Sequence, residues 1–154
     1  MELHQFAALS ARLTGFDSGE LQESGMVHAY RQVVTEQVGA ERLDKLADSV
    51  AVTADDPPRF TDDSARELAR AITHLWYLGT WPGVLRPPFP DGEVPPSASG
   101  PFVVSSRAYE QGLVWRAFGG RAPGTTAEGY GSWAGSPSVA TPLGAHGSDS
   151  AVAK

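Results

Sequence analysis

The sequence predicts a mainly α fold, a small bundle of about five helices with a Pro-rich crossover loop before the last helix and an extended Gly-rich C-terminal arm after it. Three observations carry that prediction. Apolar residues recur at three- and four-residue spacing through much of the first 78 positions, the signature of helices with one buried face. No alternation of Val or Ile is long enough to build a sheet. From Pro82 to Pro101 the chain holds seven prolines, which forbid both helix and interior strand.

The first helix is expected over residues 2–14, where Leu3, Phe6, Leu9 and Leu13 share a face and Thr14-Gly15 supplies a stop. Asp17 followed by Glu20 has the form of a capping box, with Asp in place of Ser or Thr. Behind it Leu21, Ala29, Tyr30, Val33, Val34 and Val38 predict a second helix over 18–38, closed by Gly39 in a left-handed conformation. Leu43, Leu46, Ala47 and Val50 predict a third helix over 41–50, after which Ala54-Asp-Asp-Pro-Pro-Arg-Phe60 breaks the pattern. The fourth helix, 62–78, has Thr61 as its expected N-cap and Asp62 and Asp63 where the helix dipole favours negative charge. Its buried face is expected to comprise Ala65, Leu68, Ala69, Ile72, Leu75 and Trp76, with Gly79 as the stop. A fifth helix is expected to start after Ser105 or Ser106 and to run to about Phe118, with Trp115 packing against Trp76 of the fourth.

This pattern divides the chain into a helical bundle over 1–118, which includes the Pro-rich loop 82–101, an arm over 119–135, and a tail over 136–154 whose Gly, Ser, Thr and Ala content predicts disorder. Ordering the Gly/Pro-rich arm costs more conformational entropy than Tyr130 and Trp133 alone return by burial. The arm is therefore expected to be disordered or to lie along a larger surface that supplies further contacts.

Composition excludes several function classes. With 12 basic against 18 acidic residues, the net charge of -6 argues against binding a nucleic-acid backbone. The absence of cysteine removes disulfides, thiolate metal sites and a cysteine nucleophile. The apolar runs fall far short of the about 20 residues that span a bilayer, so no transmembrane segment is expected. Met1-Glu-Leu-His-Gln-Phe6 has no basic region, long apolar stretch or twin arginine, so the chain as written is expected in the cytoplasm, or outside it if a leader is removed or a partner carries it.

No catalytic constellation emerges. His4, His28, His74 and His146 are the candidates for acid/base work near neutral pH, and none stands in a metal-binding His-Glu-x-x-His spacing. His74, just off the apolar face of the fourth helix, reads as structural or polar at an interface. No Gly-x-Ser-x-Gly elbow presents a serine nucleophile. Asp55-Asp56 and Asp62-Asp63 lack the alternating ligand pattern of a calcium loop, and helix-dipole complementarity explains Asp62 and Asp63 without a metal. No Gly-x-Gly-x-x-Gly follows a strand, so no dinucleotide fingerprint is present. Aromatic and arginine side chains are the enriched anchors of protein interfaces, which marks Trp81, Arg116, Arg121, Tyr130 and Trp133 as candidate partner contacts. Trp81 is included because it follows a helix end among prolines, where burial within the chain looks difficult.

Five blocks resemble a known family. Phe6-Ala-Ala-Leu-Ser-Ala-Arg-Leu-Thr-Gly15, Ala71-Ile-Thr-His-Leu-Trp-Tyr-Leu-Gly-Thr-Trp81, Ala108-Tyr-Glu-Gln-Gly-Leu-Val-Trp-Arg-Ala-Phe118, Ala122-Pro-Gly124 and Gly129-Tyr-Gly-Ser-Trp-Ala134 resemble, in that order, the small subunit of the membrane-bound FAD-containing sorbitol dehydrogenase family. The resemblance implies a non-catalytic, chaperone-like subunit that stabilises and matures a large FAD-containing sugar or polyol dehydrogenase of the glucose-methanol-choline type, sometimes with a cytochrome c subunit. It places the FAD in the large subunit and no cofactor in this chain. Many such subunits carry a twin-arginine signal, from which this sequence departs. The rival readings are a generic helical interaction or regulatory module and a stand-alone hydrolase using His74.

Overall fold

A computed structural model describes residues 1–84 and 100–125. Residues 1–122 form one compact unit, and Pro123 begins a second, of which only residues 123–125 are described. In chain order the elements are α1 (Leu3–Thr14), α2 (Ser18–Glu23), α3 (Val27–Val38), α4 (Ala40–Val52), α5 (Asp63–Leu78), β1 (Thr80–Trp81), β2 (Phe102–Val103), α6 (Ser106–Glu110) and α7 (Leu113–Ala117). The fold is mainly α, a small helical bundle, as the periodicity predicts.

Two helices organise the first unit. α1 packs against α2, α3, α4 and α5, while α5 also meets α3, α4, α7 and β1. Phe6, Ala7 and Leu9 of α1 and Leu68, Ala69, Ala71, Ile72, Leu75 and Trp76 of α5 supply much of the core, at the spacing that puts them on one face of each helix. Tyr30 of α3 lies edge-on to Trp76, with ring centroids 4.7 Å apart and planes at 88°. That geometry sets the positive edge of one ring against the negative face of the other.

The ends of the helices follow from local chemistry. α1 closes on Gly15, whose φ of 79° is left-handed. The capping box at α2 is formed, with Asp17 accepting from the Gly19 amide and Glu20 reaching back to the Asp17 amide. α5 is capped by Asp62, whose carboxylate accepts from the Ala65 amide at 2.9 Å, rather than by Thr61. Asp63 pairs with Arg66 in the first turn. Both aspartates thus serve the helix start, and no calcium ligation is needed to explain them.

Two helices expected to be continuous are broken. The 18–38 segment divides at Ser24-Gly25-Met26, where Gly25 has φ 71° and the Ser24 hydroxyl donates to the Leu21 carbonyl at 2.6 Å. The 107–118 segment divides at Gln111-Gly112, with Ser105 as the N-cap of α6. Gly39 has a positive φ of 84° but an extended ψ of 151°, so it is not a left-handed cap. It ends α3 and starts α4 in a single residue.

The ends of the crossover are pinned together. β1 and β2 pair antiparallel, with Thr80 opposite Val103 and Trp81 opposite Phe102. The crossover residues 85–99 and the chain beyond 125, including most of the predicted arm and all of the predicted tail, lie outside the described residues.

Candidate functional site

The region that gathers the most candidate contacts is the C-terminal end of α5 with the segment that returns to it. Gly79, at φ 67°, turns the chain out of α5, and its carbonyl accepts from the Val104 amide at 3.0 Å. A Cβ at Gly79 would stand 2.4 Å from the carbonyl carbon and oxygen of Ala108. A Cβ at Gly112 would stand 2.7 Å from the Tyr77 carbonyl oxygen. Glycine at both positions lets the two backbones touch, so α6 and α7 are held hard against the end of α5.

Several large apolar side chains of these segments are exposed. Phe118 is 81% exposed and Val103 60%, and Leu78 and Tyr109 are also exposed. Trp115 donates its indole N–H to the Tyr109 carbonyl at 2.8 Å, and its ring meets that of Tyr109 edge-on at 5.5 Å. After α7 the Gly119 amide bonds to Arg116 and the Gly120 amide to Trp115, a Schellman closure with Gly119 left-handed. Segment 100–125 carries Arg107, Arg116 and Arg121 against one acid, Glu110, on a chain that is acidic as a whole. Arg107 reaches the Ser24 carbonyl at 3.4 Å, whereas Arg116 and Arg121 are exposed.

The candidate contacts named from sequence therefore separate. Arg116 and Arg121 lie at the surface. Trp81 does not: it is 0% exposed and belongs to the chain's own core. Its pairing with Phe102 explains the difference, since β2 brings the far end of the crossover back beside it. Trp81 is therefore corrected to a core residue. Tyr130 and Trp133 lie outside the described residues. Sequence reasoning missed Leu78, Val103, Tyr109 and Phe118. The available signal was a large apolar residue, Phe118, directly before a glycine pair that ends the helix.

The expected pairing of the two tryptophans is also revised, since Trp76 meets Tyr30 and Trp115 meets Tyr109.

His4 and His28 are exposed, and His74 is half-buried beside a cleft that has no carboxylate among its described lining residues. Among the described residues no group of three or more His, Cys, Asp or Glu side chains is placed to hold a metal ion. No described helix is long and apolar enough to cross a membrane. The two described strands are two-residue pieces paired antiparallel. No family model matches the chain, and no curated protein or solved structure matches it either.

Proposed function

We propose that this chain is a non-catalytic small subunit of a flavin-dependent sugar or polyol dehydrogenase, which stabilises and matures a large FAD-containing subunit of the glucose-methanol-choline type. The observation that carries the proposal is the ordered run of sequence blocks resembling that family. Two of them, Ala71–Trp81 and Ala108–Phe118, are separated by the crossover yet meet in the fold at Gly79 and Ala108. The segments that meet there expose Leu78, Val103, Tyr109 and Phe118, with Arg116 on α7. Apolar, aromatic and arginine side chains are the kinds that anchor protein interfaces.

The mechanism is thermodynamic. A subunit that binds the folded, flavin-loaded partner and not the unfolded one shifts the partner's folding by mass action. In this reading, as the family resemblance implies, the flavin and the base that works with it belong to the partner. Co-expression tests the proposal: the tagged chain should bring down a flavin-containing protein, and Phe118→Asp should weaken its capture. Recovery of the chain as a stable, colourless monomer in the presence of that protein would count against it.

A further inference from the structure

A cleft of about 460 Å³ opens beside α5, bounded by Leu13 at the end of α1 and by the loop holding Pro57, Pro58 and Phe60. Arg66, Arg70 and His74 follow one another at four-residue spacing along α5, which stacks them on one face of the helix, and all three line the cleft. Among the described residues no Asp or Glu lines it, although acidic residues outnumber basic ones in the chain, 18 to 12. Arg66 is already committed, donating to the Phe60 carbonyl at 2.8 Å and pairing with Asp63. That bond ties the loop to the helix and shapes one end of the cleft. The Thr73 hydroxyl is also committed, donating to the Ala69 carbonyl at 2.9 Å. Arg70 and His74 have no hydrogen-bond or ion-pair partner among the described residues, and Glu67, one turn before, pairs with Arg42 at 3.6 Å.

An arginine in open solvent is simply hydrated. Arg70, although exposed, also lines a concave cleft with apolar walls, whose volume falls in the range of about 300–1,000 Å³ usual for small-molecule sites. We propose that this cleft binds a carboxylate carried on a compact apolar body, with the carboxylate on the Arg70 guanidinium and the His74 imidazole and the body against Phe60, Leu13 and the two prolines. The guanidinium fork matches a carboxylate with two parallel hydrogen bonds, and the apolar wall excludes water from one side of the pair. The carboxylate belongs to a free organic acid or to the C-terminus of a peptide ending in an apolar residue. This site is independent of the flavoprotein reading.

The test uses the full chain alone, with amide NMR spectra recorded during titration with benzoate, benzamide, acetate and N-acetyl-alanyl-phenylalanine. Benzoate or the peptide acid should saturably shift the amides of residues 59–60 and 66–74. Benzamide, which lacks the charge, and acetate, which lacks the body, should each bind about tenfold more weakly or worse. Arg70 is exposed, so Arg70→Gln should keep the native spectrum while losing about tenfold in benzoate affinity. Phe60→Ala should weaken benzoate and leave acetate unchanged. Tighter binding by benzoate assigns the free acid as the source and tighter binding by the peptide assigns a chain terminus, and either supports the site. Absence of saturable shifts, equal binding of benzamide, or undiminished affinity in Arg70→Gln would overturn it.

Discussion

Gly15 and Gly79 both close a helix in the left-handed region, at φ 79° and 67°, but their surroundings differ. Among the described residues nothing lies within 4 Å of a Cβ at Gly15, whereas one at Gly79 would run into the Ala108 backbone at 2.4 Å. Gly15→Ala should therefore cost only the left-handed strain, about 1–2 kcal/mol. Gly79→Ala should cost about 1–3 kcal/mol beyond that, because backbone cannot give way as a flexible side chain can. Urea denaturation of the two variants checks the difference. Tyr30 makes a second residue-scale prediction. Burial pushes its hydroxyl well above the ordinary value of 10.0, and the bond it donates to the Ala108 carbonyl, at 3.5 Å, is long. The folded protein keeps this proton at pH values where the unfolded chain has begun to release it. The contribution is fully present below about pH 10 and is lost as pH rises further. The urea midpoint of the wild type should fall above that pH more steeply than that of Tyr30→Phe, which at neutral pH should cost no more than about 1 kcal/mol in hydrogen bonding.

At the scale of elements, α5 is the member on which the rest depends, and its start is set by one side chain. Asp62→Ala removes the acceptor for the Ala65 amide and should cost about 1 kcal/mol, read as a lowered thermal midpoint with an unchanged fold. α1, α4 and α5 were legible in the sequence because their apolar spacing, local stops and caps agree. The breaks in the second and fifth predicted helices were not. Leu21, Val27, Tyr30 and Val34 are all buried on either side of Gly25, so the core pattern gives little sign of an interruption. The bond from Arg107 to the Ser24 carbonyl and the approach of Gly112 to the Tyr77 carbonyl come from residues distant in the chain. Trp81 was misread for the same reason. Prolines beside it speak for a loop, but a two-residue ladder with Phe102 turns that loop back over it and completes the core. Arg116 and Arg121 were legible as surface residues, whereas the exposure of Val103 and Tyr109 depends on how α6 and β2 dock.

For the whole molecule, the described bundle presents two distinct surfaces that its core leaves unexplained. One is the cleft at Arg70 and His74, which the proposed carboxylate would fill. The other is the set of exposed apolar side chains carried by the segments that meet at the α5–α6 joint, one of them richer in arginine than the rest of an acidic chain. Phe118, 81% exposed, is an aromatic side chain of the kind that a partner surface covers in protein interfaces. The central claim is that this partner is a flavoprotein whose folded state the chain stabilises. Its most direct test is the flavin content of that large subunit produced with and without this chain. A co-purifying pair is expected, with FAD loaded in the large subunit mainly when the chain is present and with capture reduced by Phe118→Asp. A large subunit that folds and loads FAD equally well alone, while the chain is recovered separately and colourless, would contradict it.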